Sequence, residues 1–250
     1  MTAPRVLVVE HEAGCPPALL GTWLAEAGCE LDVARPYAGD PLPGLAPYDA
    51  LVVLGGSMGA GDDGTHPWLG PVRELVREAR ATDLPTLGIC LGHQLVATAL
   101  GGEVARNPHG QQLGLIGVGW TEAARDDRLL GPLSWPRRGV HWNDDVVVVL
   151  PAGAVLLAET GRGEVQAARF APLVWGVQLH PEVDADVLRP WGEEDRGSHE
   201  TRGIDTDALL RDIDAASAEL EAAWRPLATG LAELAAEHRD RAARTEDPPR

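Results

Sequence analysis

The chain has 250 residues, of which 44% are apolar, so its length and composition suit one sizeable α/β domain with a packed core. All 21 basic residues are arginines, which excludes mechanisms that need a lysine, such as Schiff-base chemistry or a P-loop. Because 38 acidic residues give a net charge of −17, the surface should repel phosphate backbones, and nucleic acid is not expected as a partner.

The amino-terminal sequence MTAPRVLVVE lacks the longer apolar core and the small-residue cleavage site of a signal peptide. No stretch approaches the roughly 20 apolar residues that a membrane helix needs. The three cysteines, Cys15, Cys29 and Cys90, are odd in number and widely spaced, which fits neither a disulfide framework nor a zinc cluster. We therefore expect a cytoplasmic protein with a free thiol, no metal, no cofactor and no membrane contact.

Short apolar runs alternate with helical patterns through the first hundred residues. The run DALVVL (49–54) is typical of a strand buried on both faces of a sheet. This alternation predicts βαβ units and an α/β fold, with a mainly parallel open sheet and helices on both faces. The predicted strands cover residues 5–10, 30–34, 49–54 and 85–89, and the predicted helices cover 17–28, about 68–81 and 91–100.

Residues 112–179 have a different pattern, in which apolar runs follow one another with little helix between them. This spacing predicts a small antiparallel segment joined to the edge of the first sheet. The runs cover residues 112–120, 146–151, 154–159, 165–170 and 173–179.

The composition changes again near the carboxyl end. Residues 193–206 are polar and punctuated by glycine, which predicts a linker. Two helical patterns follow within residues 207–250 and are separated near Pro226. We therefore divide the chain into a catalytic domain (1–192), a linker (193–206) and a C-terminal helical extension (207–250), and expect the chemistry not to need the residues after 193.

The segment GICLGHQ (88–94) has the Gly-x-Cys-x-Gly pattern of a nucleophile elbow, between a predicted strand and a predicted helix. Such a turn holds the nucleophile in a strained conformation, and the flanking glycines remove Cβ atoms that would clash. The helix that follows directs its positive end and its free N–H groups at the sulfur, which favours the thiolate. A buried structural cysteine is the alternative interpretation of Cys90.

A thiol nucleophile needs a base, and His180 is the best placed of the eight histidines. It ends the apolar run LVWGVQL, so it should lie at the carboxyl edge of a strand, where α/β sheets place their ligands. Glu182 follows beyond a proline, at a spacing that lets its carboxylate reach the distal imidazole nitrogen. The alternative, a loop histidine beside a solvated acid, loses ground once the Cys90 motif is considered.

A glycine-rich turn, GGSMGAGDDG (55–64), follows the strand at 49–54. Acyl transfer needs N–H donors aimed at the developing oxyanion, and a backbone near glycine can approach a ligand closely. We expect the backbone N–H groups of Gly56 and Leu91 to be these donors.

Together, GICLGHQ, the early GG turn and QLHPE resemble the class I (triad-type) glutamine amidotransferase domain over about residues 4–185, and are similar to the glutaminase half of GMP synthase. The resemblance implies a flavodoxin-like amidotransferase fold and the triad Cys90, His180 and Glu182. It also implies that Gln94 lines the glutamine site and that Asp145 holds the amino group of the substrate. The family's Ser-His-x-Asp segment falls on WNDD (142–145), so Trp142 and Asn143 depart from the pattern, as does Ser57, where many members have proline.

By this resemblance, Cys90 attacks the side-chain amide of glutamine, protonated His180 helps ammonia leave, and water hydrolyses the glutamyl thioester. We expect a free-standing amidotransferase that delivers ammonia to a separate synthetase. Hydrolysis of a γ-glutamyl peptide or amine by the same triad is the alternative function. A non-catalytic domain that binds a partner or metabolite is a further alternative, against which the intact triad argues.

Overall fold

The structure is a computed structural model that describes residues 3–135 and 137–246. The strands are β1 Arg5–Val9, β2 Glu30–Ala34, β3 Ala50–Val53, β4 Thr86–Ile89, β5 Glu103–Arg106, β6 Gln112–Gly117, β7 Arg138–Asn143, β8 Asp145–Val149, β9 Val155–Glu159, β10 Val165–Ala171 and β11 Val174–Val177. The helices are α1 Ala18–Glu26, α2 Leu69–Ala81, α3 Leu91–Ala99, α4 Ala185–Thr201, α5 Thr206–Ala215 and α6 Ser217–Glu246.

A seven-stranded sheet in the order β2-β1-β3-β4-β11-β10-β9 forms the centre of the fold. Its first five strands are parallel, and β10 and β9 extend the sheet in antiparallel pairing. Side chains alternate between the two faces along each strand. In β1, Val6 and Val8 therefore pack in the core that contains α1 and α6, whereas Leu7 and Val9 pack in the core that contains α2 and α3. The predicted α/β class, with helices on both faces of a mainly parallel sheet, is confirmed.

The antiparallel segment is also confirmed, with a different layout from the one expected. Two additional two-stranded sheets, β5-β8 and β6-β7, lie outside the main sheet. Strands β5 and β7 were not predicted, and β11 joins the main sheet in parallel with β4. The pairing of Gln112 with Asn143 begins the β6-β7 ladder and brings the residues after β7 towards the carboxyl edge of the main sheet.

The segment predicted as a linker, 193–206, is mostly helical, because α4 extends to Thr201 and α5 begins at Thr206. Asp184 caps α4 by accepting hydrogen bonds from two backbone N–H groups of its first turn. The polar residues that indicated a loop lie on the exposed side of the helix, where Arg196 pairs with Glu193. The inner side buries residues such as His199. A solvent-facing helix surface therefore has the composition that the prediction assigned to a linker.

The two helical patterns after residue 207 also differ from their predicted bounds. Helix α6 continues through Pro226 as one element of 30 residues. Trp224, which is 1% exposed, donates its indole N–H to the carbonyl oxygen of Arg138. Leu227 and Leu231 are fully buried in the same core as α1. The C-terminal helices therefore share their apolar core with the central sheet.

Buried histidines should make this fold sensitive to acid. Burial lowers the pKa of His93 to about 3 and those of His11 and His141 to about 4, with His66 contributing at His11. The unfolded chain binds these protons near pH 6.5, so the stabilisation is complete above that pH and is lost as pH falls towards 4. Each such histidine contributes a slope of up to ~1.4 kcal/mol per pH unit.

We expect the free energy of unfolding, measured by urea titration between pH 7.5 and 4.5, to fall steeply below pH 6.5. His93→Leu should make this fall shallower by up to the slope of one histidine. His109→Leu is the control, because His109 is exposed and should leave the slope unchanged. Equal slopes in the wild-type and His93→Leu proteins would contradict the prediction.

Candidate active site

Cys90 lies on a sharp turn between β4 and α3, with φ 51° and ψ −107°. A non-glycine residue in this region is strained by roughly 1–3 kcal/mol, and such strain is found mainly at functional sites. A Cβ atom on Gly88 would lie 2.5 Å from the carbonyl oxygen of Gly92, and one on Gly92 would lie 1.9 Å from that of Val53. The turn therefore requires both glycines of the Gly-x-Cys-x-Gly pattern.

The topology of the sheet brings the predicted triad together. Parallel pairing places Ile89 opposite Val177, so Cys90 and the residues after β11 leave the sheet at the same carboxyl edge. His180 is fixed there by its backbone N–H, which donates to Val140 O at 2.7 Å. Its Nδ1 lies 2.7 Å from Oε1 of Glu182, and both side chains are 2% exposed.

The charge of His180 is governed by its neighbours. Burial alone would lower the pKa of His180, but the thiolate of Cys90 and the carboxylate of Glu182 outweigh burial and raise this pKa to about 10. The imidazole is therefore protonated at neutral pH. A protonated imidazole beside a thiolate can supply a proton to a leaving amine.

Gly56 and Leu91, the predicted oxyanion donors, line the same cavity as Cys90. A Cβ on Gly56 would lie 2.6 Å from Met58 Sδ and 3.0 Å from Leu91 Cδ2, so only glycine allows the turn to approach the site this closely. The N–H of Leu91 belongs to the first turn of α3 and has no acceptor within the helix. Their role as donors stays a prediction.

The two predicted substrate residues are also brought together. Gln94 and Asp145 both line the cavity, which has a volume of about 430 Å³. The Gln94 amide donates to the backbone oxygen of Asp145 at 3.0 Å. The carboxylate of Asp145 lies 4.0 Å from the guanidinium of Arg106. Opposite charges therefore lie side by side at this end of the cavity.

Sequence reasoning missed two residues that organise the site. Gln178 accepts a hydrogen bond from Gln94 at 3.1 Å, and its amide lies 3.6 Å from Cys90 Sγ as a donor. Glu12 accepts from the N–H of Ser57 at 3.0 Å and from its hydroxyl at 2.7 Å, which fixes the glycine-rich turn. Both follow parallel strands at their carboxyl ends, a position that could have identified them.

A wall of the cavity formed largely by α4 was also missed. The Trp191 ring lies 5.0 Å from the His180 ring, and the Trp142 ring lies 6.0 Å from Trp191. Trp142 donates its indole N–H to Asp195 at 2.7 Å, and Glu194 and Asp195 line the cavity. Because these two acids lie beyond residue 193, the structure argues against a tail that is dispensable for the site.

In the described parts of the chain, 3–135 and 137–246, we find no helix that is both long enough and apolar enough to cross a membrane.

This fold and site define an α/β protein with a strained cysteine on a nucleophile elbow beside a buried histidine–glutamate pair. The family model described as Glutamine amidotransferase class-I matches residues 19–190, and the chain belongs to this family. The resemblance predicted from the motifs is therefore confirmed.

Several named proteins are similar to this chain. The glutamine amidotransferase-like protein YfeJ of Salmonella typhimurium is 30% identical over 188 residues, covering 74% of this chain and 78% of that protein. A subunit of the glutamine-hydrolyzing GMP synthase of Saccharolobus solfataricus is 32% identical over 159 residues, covering 62% and 78%. Gamma-glutamyl peptidase 4 of Arabidopsis thaliana is 32% identical over 146 residues, covering 58% and 57%.

Among solved structures, a glutamine amidotransferase from Thermotoga maritima superposes with a TM-score of 0.83 at 26% identity, covering 93% of this chain and 100% of that one. This likeness extends beyond the catalytic motifs to nearly the whole chain. The predicted amidotransferase fold is thereby confirmed.

Proposed function

We propose that the protein hydrolyses a γ-glutamyl amide, glutamine being the smallest, through a glutamyl thioester on Cys90. The observation that carries this proposal is the strained Cys90 beside the buried His180–Glu182 pair at one end of an open cavity. Similarity to part of a glutamine-hydrolysing synthase and to a γ-glutamyl peptidase supports the same bond type.

At the start of the reaction, the glutamyl group binds with its charged end near Gln94 and Asp145. A free amino acid end carries both an ammonium and a carboxylate, and the neighbouring carboxylate of Asp145 and guanidinium of Arg106 complement those charges. This placement directs the γ-amide carbon towards Cys90.

In the acylation step, the Cys90 thiolate forms a bond to the amide carbon, and the backbone N–H groups of Gly56 and Leu91 stabilise the oxyanion. His180 gives its proton to the leaving nitrogen, the C–N bond breaks and the amine departs. Neutral His180 then removes a proton from water, which attacks the thioester and releases glutamate. Glu182 holds the imidazole in orientation and stabilises its charged form.

With ammonia as the leaving group, the protein would act as a free-standing amidotransferase that supplies a separate synthetase. The GMP synthase components among its relatives favour this candidate, since their names describe one part of a glutamine-hydrolysing synthase. A larger leaving amine is the second candidate function. The observation that favours it is the α4 wall, which extends the cavity beyond His180, on the side where the leaving nitrogen takes its proton.

The test is glutamate release by the purified full chain from glutamine, γ-glutamyl amines and γ-glutamyl peptides. Slow glutamine turnover with no faster substrate is the expected result for a partner-dependent amidotransferase, because such enzymes complete their site when the acceptor is ready. Fast hydrolysis of a γ-glutamyl amine with poor glutamine turnover would establish the second candidate. Release of glutamate from none of them would overturn the proposal.

A further inference from the structure

The cavity at Cys90 is strongly acidic. Among the described residues one guanidinium, that of Arg106, lines it, and this group pairs with Asp144 at 3.1 Å and with Asp145 at 4.0 Å. The carboxylates that line the cavity belong to Glu12, Asp62, Asp144, Asp145, Glu194 and Asp195. The cavity therefore keeps an excess of negative charge that the zwitterionic end of a glutamyl group would not neutralise.

The excess charge is unevenly placed. Glu12 is engaged by Ser57, and Asp62 accepts the N–H of Gly59 at 2.7 Å, so both serve the glycine-rich turn. Glu194 and Asp195, in contrast, lie on α4 at the opposite wall. They follow Trp191 by three and four residues, which places all three on one face of the helix.

This acidic wall adjoins the leaving-group side of the site. His180 protonates the leaving nitrogen in the proposed reaction, and the ring of Trp191 lies 5.0 Å from that imidazole. A substituent on the leaving nitrogen must therefore extend past His180 towards Trp191, Glu194 and Asp195. Trp142 completes this side, since its indole N–H binds Asp195.

Aromatic rings beside carboxylates attract organic cations and repel anions. The same wall offers a further acceptor, because Oδ1 of Asn143 has no hydrogen-bond partner among the described residues and Asn143 is 5% exposed. A buried acceptor without a partner is costly unless a ligand or water satisfies it. An alkylammonium supplies N–H donors and positive charge together.

We infer that the protein's preferred substrate is a γ-glutamyl amide whose leaving amine carries a second, positively charged amino group, as in a conjugate of a diamine or polyamine. The inference rests on the proposed γ-glutamyl hydrolysis. Hydrolysis adds one water, breaks the C–N bond, and releases glutamate and the diamine, whose freed nitrogen takes up a proton. The distal ammonium binds between the tryptophan rings and the carboxylates of Glu194 and Asp195.

Three conjugates of one length test the charge preference: γ-glutamyl amides of 1,4-diaminobutane, pentylamine and 5-aminopentanoate, which end in a cation, a methyl group and an anion. We expect kcat/KM for the cation to exceed that for the neutral conjugate by about tenfold or more, with the anion slowest. Higher salt should reduce the advantage, because the cavity is open to solvent. A neutral or anionic conjugate that is hydrolysed as well as the cation would overturn the inference.

A pair of neighbouring substitutions locates the preference. Glu194→Gln removes a carboxylate from the cavity wall, and should reduce the ratio of cation to neutral kcat/KM by about threefold or more. Glu193→Gln makes the same charge change one residue away, on a side chain that pairs with Arg196 outside the cavity, and should leave the ratio unchanged. Equal effects of the two substitutions would remove α4 as the recognition surface.

Glutamine, included in the same assay, separates the two proposals. Hydrolysis of glutamine alone, with none of the three conjugates cleaved, would overturn the cationic substrate while supporting γ-amide hydrolysis. Failure with glutamine and all three conjugates would overturn both.

Discussion

Cys90→Ser is expected to abolish glutamate release, with a loss on the order of 10⁴-fold or more in kcat, while the fold remains intact. A hydroxyl is a far weaker nucleophile than a thiolate, and the substitution changes a single atom of a side chain that is 6% exposed. The pKa of His180 should fall as well, because the Cys90 thiolate is among the charges that raise it. Steady-state kinetics and circular dichroism of the variant measure the loss of activity and the retention of the fold.

The other cysteines supply the controls. Cys29 is buried away from the cavity, so Cys29→Ser should keep full activity. Cys15 lines the cavity, but burial and the neighbouring carboxylate of Glu12 raise the pKa of its thiol, which therefore stays protonated. A glutamine-mimicking electrophile should accordingly label Cys90 alone. Labelling of Cys15 in the wild-type protein, or full activity in Cys90→Ser, would show that the nucleophile is wrongly assigned.

The catalytic residues could be predicted because local rules fix their positions. A cysteine between two glycines at a strand-to-helix junction has few other structural uses, and the structure leaves no room for a Cβ on Gly92. His180 follows a continuous apolar run, and carboxyl ends of parallel strands meet at one edge of the sheet. Both signals are contained in a few adjacent residues.

The remainder of the site depends on contacts between distant segments. Gln178 contacts Cys90 only because β11 lies beside β4, and nothing in the run LVWGVQL distinguishes its glutamine from any other strand residue. The α4 wall was missed for a different reason. Exposed acids and arginines gave residues 193–206 the composition of a loop, while the buried positions of the helix, such as His199, are themselves polar or small.

The C-terminal helices show the same limitation. Proline usually ends a helix, so Pro226 predicted a break, yet α6 continues through it. The flanking Trp224 and Leu227 are 1% and 0% exposed, respectively, and their burial against the central core outweighs the lost hydrogen bond. Tertiary packing of this kind is invisible to a local pattern.

His180→Ala and Glu182→Gln should differ greatly in effect. His180 supplies the proton to the leaving amine and later takes one from water, so His180→Ala should approach the inactivity of Cys90→Ser. Glu182→Gln keeps a hydrogen-bond acceptor for Nδ1 of His180, and some thiol enzymes use a neutral amide in this position. We expect Glu182→Gln to lose roughly 10- to 1,000-fold in kcat and to retain measurable turnover.

The pH dependence of Glu182→Gln distinguishes this electrostatic role from a purely structural one. The pKa of His180 is raised to about 10 partly by the Glu182 carboxylate, so removing that charge destabilises the imidazolium and lowers the pKa. The alkaline limb of kcat/KM, which reports loss of the proton needed by the leaving amine, should then move to lower pH. His109→Ala, on an exposed histidine, should leave both rate and profile unchanged. An enzyme as inactive with Glu182→Gln as with His180→Ala, or an alkaline limb that does not move, would mean that the carboxylate acts in another way.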